Sequence, residues 1–258
     1  RGFHDQLAAG SAEGHPLNFA IEHAVLRALS KRGVTATVRR SLVPDDSLSV
    51  MAGGRDERLP GADILGQPSA WTEDSIPTLM QLLGDSEACV IESAVHALSQ
   101  KQDARTIDAL SLVAQHDASN VRWAVATALE DLIGDERAER VLLTLMRDGD
   151  TSVRDRATFA VGSLSDHDTP RIRAALAERL RDEDRAVANE AALGLARRRD
   201  ARAIPYIAGA VESADTEIEE AADEITSPDM LTDLLKARDA AGDLVGLKTL
   251  IARCRARL

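Results

Sequence analysis

The sequence predicts an all-α fold, a right-handed α-solenoid of stacked antiparallel helix pairs. The first observation behind this prediction is a pattern of small and branched apolar residues that returns every 31 to 34 positions. The second is composition. Apolar residues make up 44% of the 258 residues and aromatic residues only 2%, so alanine and leucine must fill a core of closely packed helices.

A β-branched residue opens each copy of the pattern. These anchors are Val90, Val121, Val153, Val187 and Ile218. Counted from the anchor, offsets 4, 7 and 8 are apolar or small in most copies, as at Ala157, Ala160 and Val161 in the third. Offsets 0, 4, 7 and 8 form one stripe of an α-helix, and small residues at offsets 4 and 7 let a neighbouring helix approach closely. The fifth copy keeps only part of the pattern, as a terminal repeat often does.

A second set of predicted helices alternates with the anchored set. It consists of SIPTLMQLL, TIDALSLVA, AERVLLTLM, RIRAALAERL and AIPYIAGAV, each with apolar residues at helical spacing. Short turns separate the helices (GDSE, HDAS, DGDT and RDED), and their Asp, Ser and Thr side chains can cap the next helix. Each unit is therefore a helix, a tight turn and a helix, and it buries its apolar stripe only by stacking on its neighbours.

The segment SDHDTP has two interpretations. Either Asp168 or Thr169 caps a helix that has Pro170 at its first position, or Asp166, His167 and Asp168 bind a metal ion. The capping interpretation is favoured because it explains all of these residues without a metal.

The repeated segments resemble HEAT-type repeats of the short bacterial class that is also named for phycobilisome-lyase subunits. The resemblance rests on DASNVRWAVATAL and DTSVRDRATFAVGSL and extends over about residues 73–213. A longer run, from SVRDRATF to DARAIP, is similar to a narrower bacterial group that includes an enterobacterial protein encoded beside Rhs-type toxins. Arg156 departs from this group, in which we expect Trp. The resemblance is specific for the fold and weak for activity.

The flanks of the array follow the pattern less well. Residues 55–70 align as a degenerate repeat, although Pro60 would lie inside a helix, where proline is costly. The predicted organisation is an N-terminal cap or irregular region with one amphipathic helix (1–54), a HEAT-like repeat array (55–226) and C-terminal capping helices (227–258). The last helix is basic, so binding to a membrane surface is the alternative to its role as a cap.

The sequence contains no pattern typical of a catalytic, metal or cofactor site. No glycine-rich phosphate loop follows a strand, and no cysteine pair has zinc spacing. The repeated His-Glu pairs that bind iron in deoxyhypusine hydroxylase, a HEAT enzyme, are missing. We therefore predict a protein that is not an enzyme and that has no cofactor, metal or small-molecule substrate. Bilin-lyase subunits share the repeat class and remain the enzymatic alternative.

The charge favours a protein partner. The chain carries 43 acidic and 31 basic side chains, a net charge of −12, which repels nucleic acid and attracts a basic protein. The HEAT-like alkylpurine DNA glycosylases need a basic groove to bind DNA, so the net negative charge also argues against that activity. No apolar stretch approaches the roughly 20 residues that span a bilayer, so we expect no membrane partner and a cytoplasmic location. Cys89 and Cys254 are expected to be reduced, with a disulfide in an oxidising compartment as the alternative.

The exposed ridge of the anchored helices is the predicted partner-binding surface. Solenoids usually bind through a concave surface lined by the second helix of each pair, and offsets 2 and 6 lie off the apolar stripe. These positions are Glu92, His96, Trp123, Thr127, Asp155, Phe159, Asn189 and Leu193. Trp123 and Phe159 are notable because large aromatic rings dominate interface energetics. The alternative is a helix rotated by one position, with both rings in the core between repeats.

Two further charged features each have two interpretations. Arg122 and Arg154, at offset 1, favour Arg–Asp pairs between adjacent units, through Asp117 and Asp150, over an anion site. The segment 212–224 carries seven carboxylates, which fit either a solvated helix face or the docking of a basic partner.

These observations favour a non-enzymatic solenoid that binds another protein. The resemblance to the toxin-neighbour group adds a concrete version, an immunity protein that neutralises a bacterial toxin. The acidic charge agrees with it, since nuclease toxins are often basic. An enzyme subunit of the bilin-lyase type and a generic assembly scaffold are the alternatives.

Overall fold

Helices account for the regular structure of the residues that the structure describes. The computed structural model describes residues 75–213, 215–242 and 244–258, in which twelve α-helices and four short 3-10 helices occur and no strand is present. The predicted all-α repeat fold is therefore confirmed. The expectations for residues 1–54 and 55–70 lie outside the described residues.

The chain divides into two units after Lys101. The described part of the first unit is one helix pair, α1 (Ser75–Leu82) and α2 (Ala88–Ser99), whose members pack against each other. The second unit contains α3 (Ile107–Val113), α4 (Ser119–Leu129), α5 (Glu136–Leu145), α6 (Thr151–Gly162), α7 (Pro170–Arg179), α8 (Arg185–Arg197), α9 (Ile204–Ala210), α10 (Thr216–Ile225), α11 (Leu231–Ala241) and α12 (Val245–Ala256). The domain boundaries expected from the sequence, 55–226 and 227–258, stay predictions.

The second helices of successive pairs stack on one another in the second unit. Helix α6 packs against α4 and α8, and α8 packs against α6 and α10. All five anchors and all residues at offsets 4, 7 and 8 are buried, so the predicted apolar stripe is confirmed in both units. The core of the second unit follows this stripe from helix to helix.

Glycine permits the closest helix contacts. A Cβ atom on Gly194 would lie 2.6 Å from the Cα of Gly162, so α6 and α8 meet backbone to backbone. A Cβ atom on Gly246 would lie 1.8 Å from the carbonyl oxygen of Ala208, where α12 packs against α9. Side chains are excluded at both contacts because real Cβ atoms do not come this near to a backbone atom.

Of the four turns predicted to cap a helix, DGDT and RDED do so through Asp150 and Asp184. The prediction was wrong for GDSE and HDAS, because the N-cap positions of α2 and α4 are Glu87 and Ala118 and neither makes a side-chain cap hydrogen bond. The carboxylate of Asp150 accepts hydrogen bonds from the N–H groups of Ser152 and Val153, at 2.9 and 3.4 Å. Thr169 caps α7 by accepting from the N–H of Ile172 at 3.2 Å, and Pro170 occupies the first turn. The capping interpretation of SDHDTP is thus confirmed, with Thr169 as the N-cap.

Two arginines, the half-buried Arg122 and the buried Arg154, join adjacent helix pairs. Arg122, at the start of α4, donates to both carboxylate oxygens of Asp148 at 2.7 Å, and Asp148 lies in the turn of the following pair. Arg154 makes the same bidentate contact with Asp182 at 3.0 Å, and that carboxylate is only 3% exposed. The predicted Arg–Asp pairing between adjacent repeats is therefore confirmed within the second unit.

The carboxylates named from the sequence for these pairs were wrong. Asp117 offers Arg122 its backbone carbonyl, at 2.9 Å, and Asp150 caps α6 instead of pairing with an arginine. The physical reason is reach. Each arginine side chain extends forward to the carboxylate of the next turn, whereas its own turn contributes carbonyl oxygens and, for Arg154, the hydroxyl of Thr151.

Arg198, just after α8, closes the turn between α6 and α7. Its guanidinium donates hydrogen bonds of 2.7 to 3.0 Å to the carbonyl oxygens of Val161, Gly162, Ser165, His167 and Gly194. Burial lowers the pKa of this arginine below its ordinary value. The side chain satisfies carbonyl groups that a helix C-terminus leaves without partners.

The basic C-terminal helix packs onto the repeat array. Arg253 pairs with Glu219 at 2.8 Å and Arg257 pairs with Asp223 at 2.6 Å, so two of its charges are taken up by α10. In the described parts of the chain, no helix combines the length and apolar character needed to cross a membrane.

We predict that Gly246→Ala lowers the free energy of unfolding by about 1–3 kcal/mol, because its methyl group would overlap the Ala208 carbonyl. Gly209→Ala, in the neighbouring helix α9, is the matched control because nothing lies within 4 Å of its Cβ position. The control should be neutral or gain up to about 1 kcal/mol from helix propensity. Urea denaturation measures both, and equal effects would contradict the close contact.

We predict that Arg198→Lys destabilises the fold by about 2–4 kcal/mol, since a single ammonium group cannot serve five carbonyl oxygens and buried acceptors lose their donors. Arg199→Lys is the control, because Arg199 is exposed and makes one ion pair with Asp229. Its effect should stay below about 1 kcal/mol. Thermal and urea unfolding test the pair, and a tolerated Arg198→Lys would show that the turn does not depend on this clamp.

Candidate binding surface

Residues flanking the buried stripe form the candidate surface in the second unit. We use the term ridge face for offsets 2, 3 and 6 of α4, α6, α8 and α10. Two of the predicted site residues belong instead to α2 in the first unit, where Glu92 is half-buried and His96 is exposed. The others lie on α4, α6 and α8.

An arginine stacked between two aromatic rings forms the centre of the ridge face on α4 and α6. The guanidinium carbon of Arg156 lies 5.7 Å from the ring centroid of Trp123 and 5.4 Å from that of Phe159, within cation–π range. Its Nε donates to the hydroxyl of Thr127 at 2.9 Å, and a terminal nitrogen pairs with Glu130. The cluster therefore brings together three residues that the sequence predicts and one, Arg156, that it marks only as a departure from related sequences.

The two rings differ in exposure. Trp123 is 41% exposed, whereas Phe159 is half-buried. The alternative that places both rings in the core between repeats is therefore wrong for Trp123. The stacked guanidinium fixes the inner side of the rings and leaves much of the indole accessible.

Exposure was wrongly expected for Asn189 and Leu193, which are only 2% and 3% exposed. Their helix, α8, packs against α6, α7 and α10 and is buried at every position from Val187 to Ala196. The amide of Asn189 donates to Asp215 at 2.7 Å and accepts from the hydroxyl of Tyr206 at 2.8 Å, so it links α8 to the next pair. The nearly all-apolar segment VANEAALGLA was the available indication that this helix is enclosed on all sides.

Carboxylates dominate the rest of the ridge face. Asp155 is half-buried on α6, and burial raises its pKa. Glu190 is 8% exposed on α8 and accepts a hydrogen bond from the hydroxyl of Ser163. Burial raises the pKa of Glu190 most, and repulsion from Asp155 and Glu217 adds to the effect.

The acidic segment 212–224 continues the same face. Glu220 and Glu224 occupy offsets 2 and 6 of α10, so this segment belongs to the same face as the aromatic residues, although the sequence indicated two separate features. Glu217 lies at the start of this helix, and a hydrogen bond with Asp215 raises its pKa. Ion pairs within the described residues hold Glu219, Glu220 and Asp223.

The ridge face thus offers an exposed aromatic ring beside a row of carboxylates. Such a surface can contact apolar groups and cations of a partner. Elsewhere in the described part of the chain both cysteines are free, with Cys89 half-buried and Cys254 buried. The described residues contain no group of three or more His, Cys, Asp or Glu side chains placed to hold a metal ion.

Comparison with known proteins identifies the repeats. A family profile of HEAT repeats matches residues 76–162 and 139–226, together more than half of the chain. Protein YibA of Escherichia coli strain K12 is 30% identical over 193 residues, which are 71% of this chain and 63% of YibA. The alignment therefore spans less than two thirds of that relative's length.

The solved structure of YibA agrees with the repeat fold. The crystal structure of YibA from E. coli matches with a TM-score of 0.65 at 21% identity, over 94% of this chain and 97% of the other. The CpcE–CpcF complex of a Nostoc phycocyanin lyase matches with a TM-score of 0.41 at 18% identity, over 98% of this chain and 94% of that chain. The similarity to YibA shows the fold alone. The similarity to the CpcE–CpcF complex is too low to support any argument.

We predict that Glu190→Gln stabilises the protein near pH 7. The folded-state pKa of Glu190 is raised, so the folded chain holds this proton more tightly than the unfolded chain. Stability is therefore lost as the pH rises from the ordinary glutamate value through the raised one, and glutamine removes this loss while it can keep the contact with Ser163. Urea denaturation at about pH 5 and about pH 7 measures the difference.

Glu178→Gln is the control for that experiment. The side chain of Arg147 holds the pKa of Glu178 below its usual value, so the linkage has the opposite sign. This variant should lose stability near neutral pH. A Glu190→Gln variant that is less stable than wild type at about pH 7 would contradict the prediction.

Proposed function

We propose that this chain, which belongs to the HEAT-repeat family, binds another protein through its ridge face. The observation that carries the proposal is the 41% exposure of the Trp123 ring beside Arg156 and Phe159. Tryptophan is enriched among the few residues that dominate binding energy at protein interfaces. HEAT and related solenoids work through extended surfaces of this kind.

The arrangement of the aromatic cluster supports a binding role on energetic grounds. Arg156 touches both rings and is itself held by Thr127 and Glu130, so the side chains lose little conformational freedom on binding. Preorganisation of this kind leaves more of the contact energy for affinity. An exposed ring without such contacts would lose more conformational entropy on binding.

The charge of the surface supports a basic partner. Asp155, Glu190 and Glu217 lie on or beside the ridge face, and the whole chain has a net charge of −12. Complementary charge speeds encounter and suppresses wrong partners. An immunity protein that occludes a basic bacterial toxin is the concrete form of this proposal, and the resemblance to the toxin-neighbour group supports it. A toxin gene directly upstream is its genomic test.

The chain acts, in this proposal, without catalysis and in the cytoplasm. A generic assembly scaffold would use the same surface with a partner unrelated to toxins. A bilin chromophore that copurifies with the chain, visible in its absorbance spectrum, would instead favour a lyase subunit.

We predict that Trp123→Ala/Phe159→Ala weakens partner binding by about 30-fold or more, because interface tryptophans at such sites contribute about 2 kcal/mol. The partner is first captured from the native host with wild-type protein, identified by mass spectrometry and purified. Calorimetry with the purified pair then measures the affinity of each variant.

Leu112→Ala is the matched control, since Leu112 is 78% exposed on α3, the first helix of its pair, and lies off the ridge face. It should leave the affinity unchanged, and thermal melts must show that all variants fold equally well. Full affinity in the double variant would move the binding site away from the aromatic cluster and overturn the proposal.

A further inference from the structure

Helix α6 packs against α4 on one side and against α8 on the other, and equivalent repeat positions of these two contacts carry different charges. Offset 3 is Arg156 in α6 and Glu190 in α8. Between α4 and α6, the cation at offset 3 meets Glu130, at offset 9 of the preceding helix. Between α6 and α8, a carboxylate stands in place of this cation, and offset 9 is Gly162. The chain places a guanidinium at offset 3 of the first contact and a carboxylate at offset 3 of the second.

The charges around Glu190 leave an excess of negative groups. Asp155 faces it from α6 and Glu217 from α10, and both repel it. The nearby cation is Arg197, and its guanidinium already donates to the Ser163 carbonyl at 2.5 Å and to Glu220 at 2.6 Å. Ser163 is the hydrogen-bond partner of Glu190 on α6. The two carboxylates that repel Glu190 therefore outnumber the one cation that attracts it.

We propose that the partner docks an extended, arginine-bearing segment across α4, α6, α8 and α10, and that its guanidinium groups repeat there the contact that Arg156 makes internally. This inference rests on the proposed function and names the chemistry of the partner. One guanidinium stacks on the exposed side of Trp123, and a second pairs with the half-buried Asp155, whose charge acts together with that of the buried Glu190. The acidic residues of α10, at Glu217 and beyond, bind a third.

Arginine fits this surface better than lysine. Its planar guanidinium stacks on aromatic rings and forms bidentate hydrogen bonds with carboxylates, whereas the ammonium of lysine is a compact, strongly hydrated charge. The internal contact illustrates the fit, because Arg156 stacks on Trp123 and Phe159 while it pairs with Glu130.

The spacing of the helices sets the spacing of the arginines. Packed helices lie about 8–10 Å apart. A polyproline II segment places every third side chain on the same side and advances about 3.1 Å per residue, so arginines at every third position recur about every 9 Å. A segment of about nine to twelve residues therefore crosses the four helices in register with the ridge face.

The test is fluorescence polarisation of the full chain with three labelled twelve-residue peptides. The first repeats Arg-Pro-Ser four times, the second replaces arginine by lysine, and the third replaces it by citrulline, which is neutral and nearly the same shape. Asp155→Asn/Glu190→Gln is the ridge variant. Asp233→Asn/Asp239→Asn, two acidic residues on α11, removes the same charge elsewhere and is its matched control.

We expect the arginine peptide to bind at least about tenfold more tightly than the lysine and citrulline peptides. The ridge variant should weaken that binding about tenfold, and the α11 control should change it less than about twofold. Equal weakening by the α11 control, equal affinity of the lysine peptide, or no binding of the arginine peptide would each overturn the inference.

The same outcomes separate this inference from the proposed function. If a purified native partner depends on Trp123 and Phe159 while the arginine peptide does not bind, the ridge face is a protein-binding site and its partner uses other chemistry. If neither the native partner nor the peptide depends on the ridge face, both proposals fail.

Discussion

The close approach of the second helices is the constraint on which the rest of the second unit depends. Gly162 and Gly194 meet with no space for a side chain, and small residues continue this contact along the buried stripe. Helices this near bury apolar surface continuously, although each single pair has little apolar area of its own. The same closeness brings each turn within reach of the next one. Arg122 and Arg154 can therefore span from one pair to the turn of the following pair.

The ridge face is a consequence of this packing. Once offsets 0, 4, 7 and 8 of α6 are buried between helices, the side chains at its offsets 2, 3 and 6 are left half-buried at the edge of the contact. A long side chain in this position lies along the neighbouring helix, as Arg156 does when it reaches Thr127 and Glu130 on and just beyond α4. Aromatic rings on either side of it become ordered without entering the core. The structure thus orders Trp123 while leaving 41% of its surface accessible.

Features that depend on residues close together in the sequence could be predicted. Features that depend on contacts between residues far apart in the sequence could not. The period, the buried stripe and the cap at Thr169 depend on residues within two helical turns, so the sequence alone contains them. The clamp made by Arg198 depends on carbonyl groups more than 30 positions away, and nothing in the local pattern indicates it. The burial of Leu193 escaped prediction for a related reason. Offsets describe one helix, whereas the enclosure of α8 depends on its neighbours on several sides.

Buried carboxylates in the second unit fall into two groups with different physical meaning. Asp148 and Asp182 each meet an arginine in bidentate geometry, and these pairs hold successive turns together. Glu190 is comparably buried, yet the hydroxyl of Ser163 is its hydrogen-bond partner and two other carboxylates repel it. Packing does not require a charge there, since glutamine has the same shape and can make the same hydrogen bond. On the predicted sign of the pH linkage, Glu190 lowers stability near neutral pH. Functional sites retain residues of this kind, and a cation from outside the chain is the group that would offset the loss of stability.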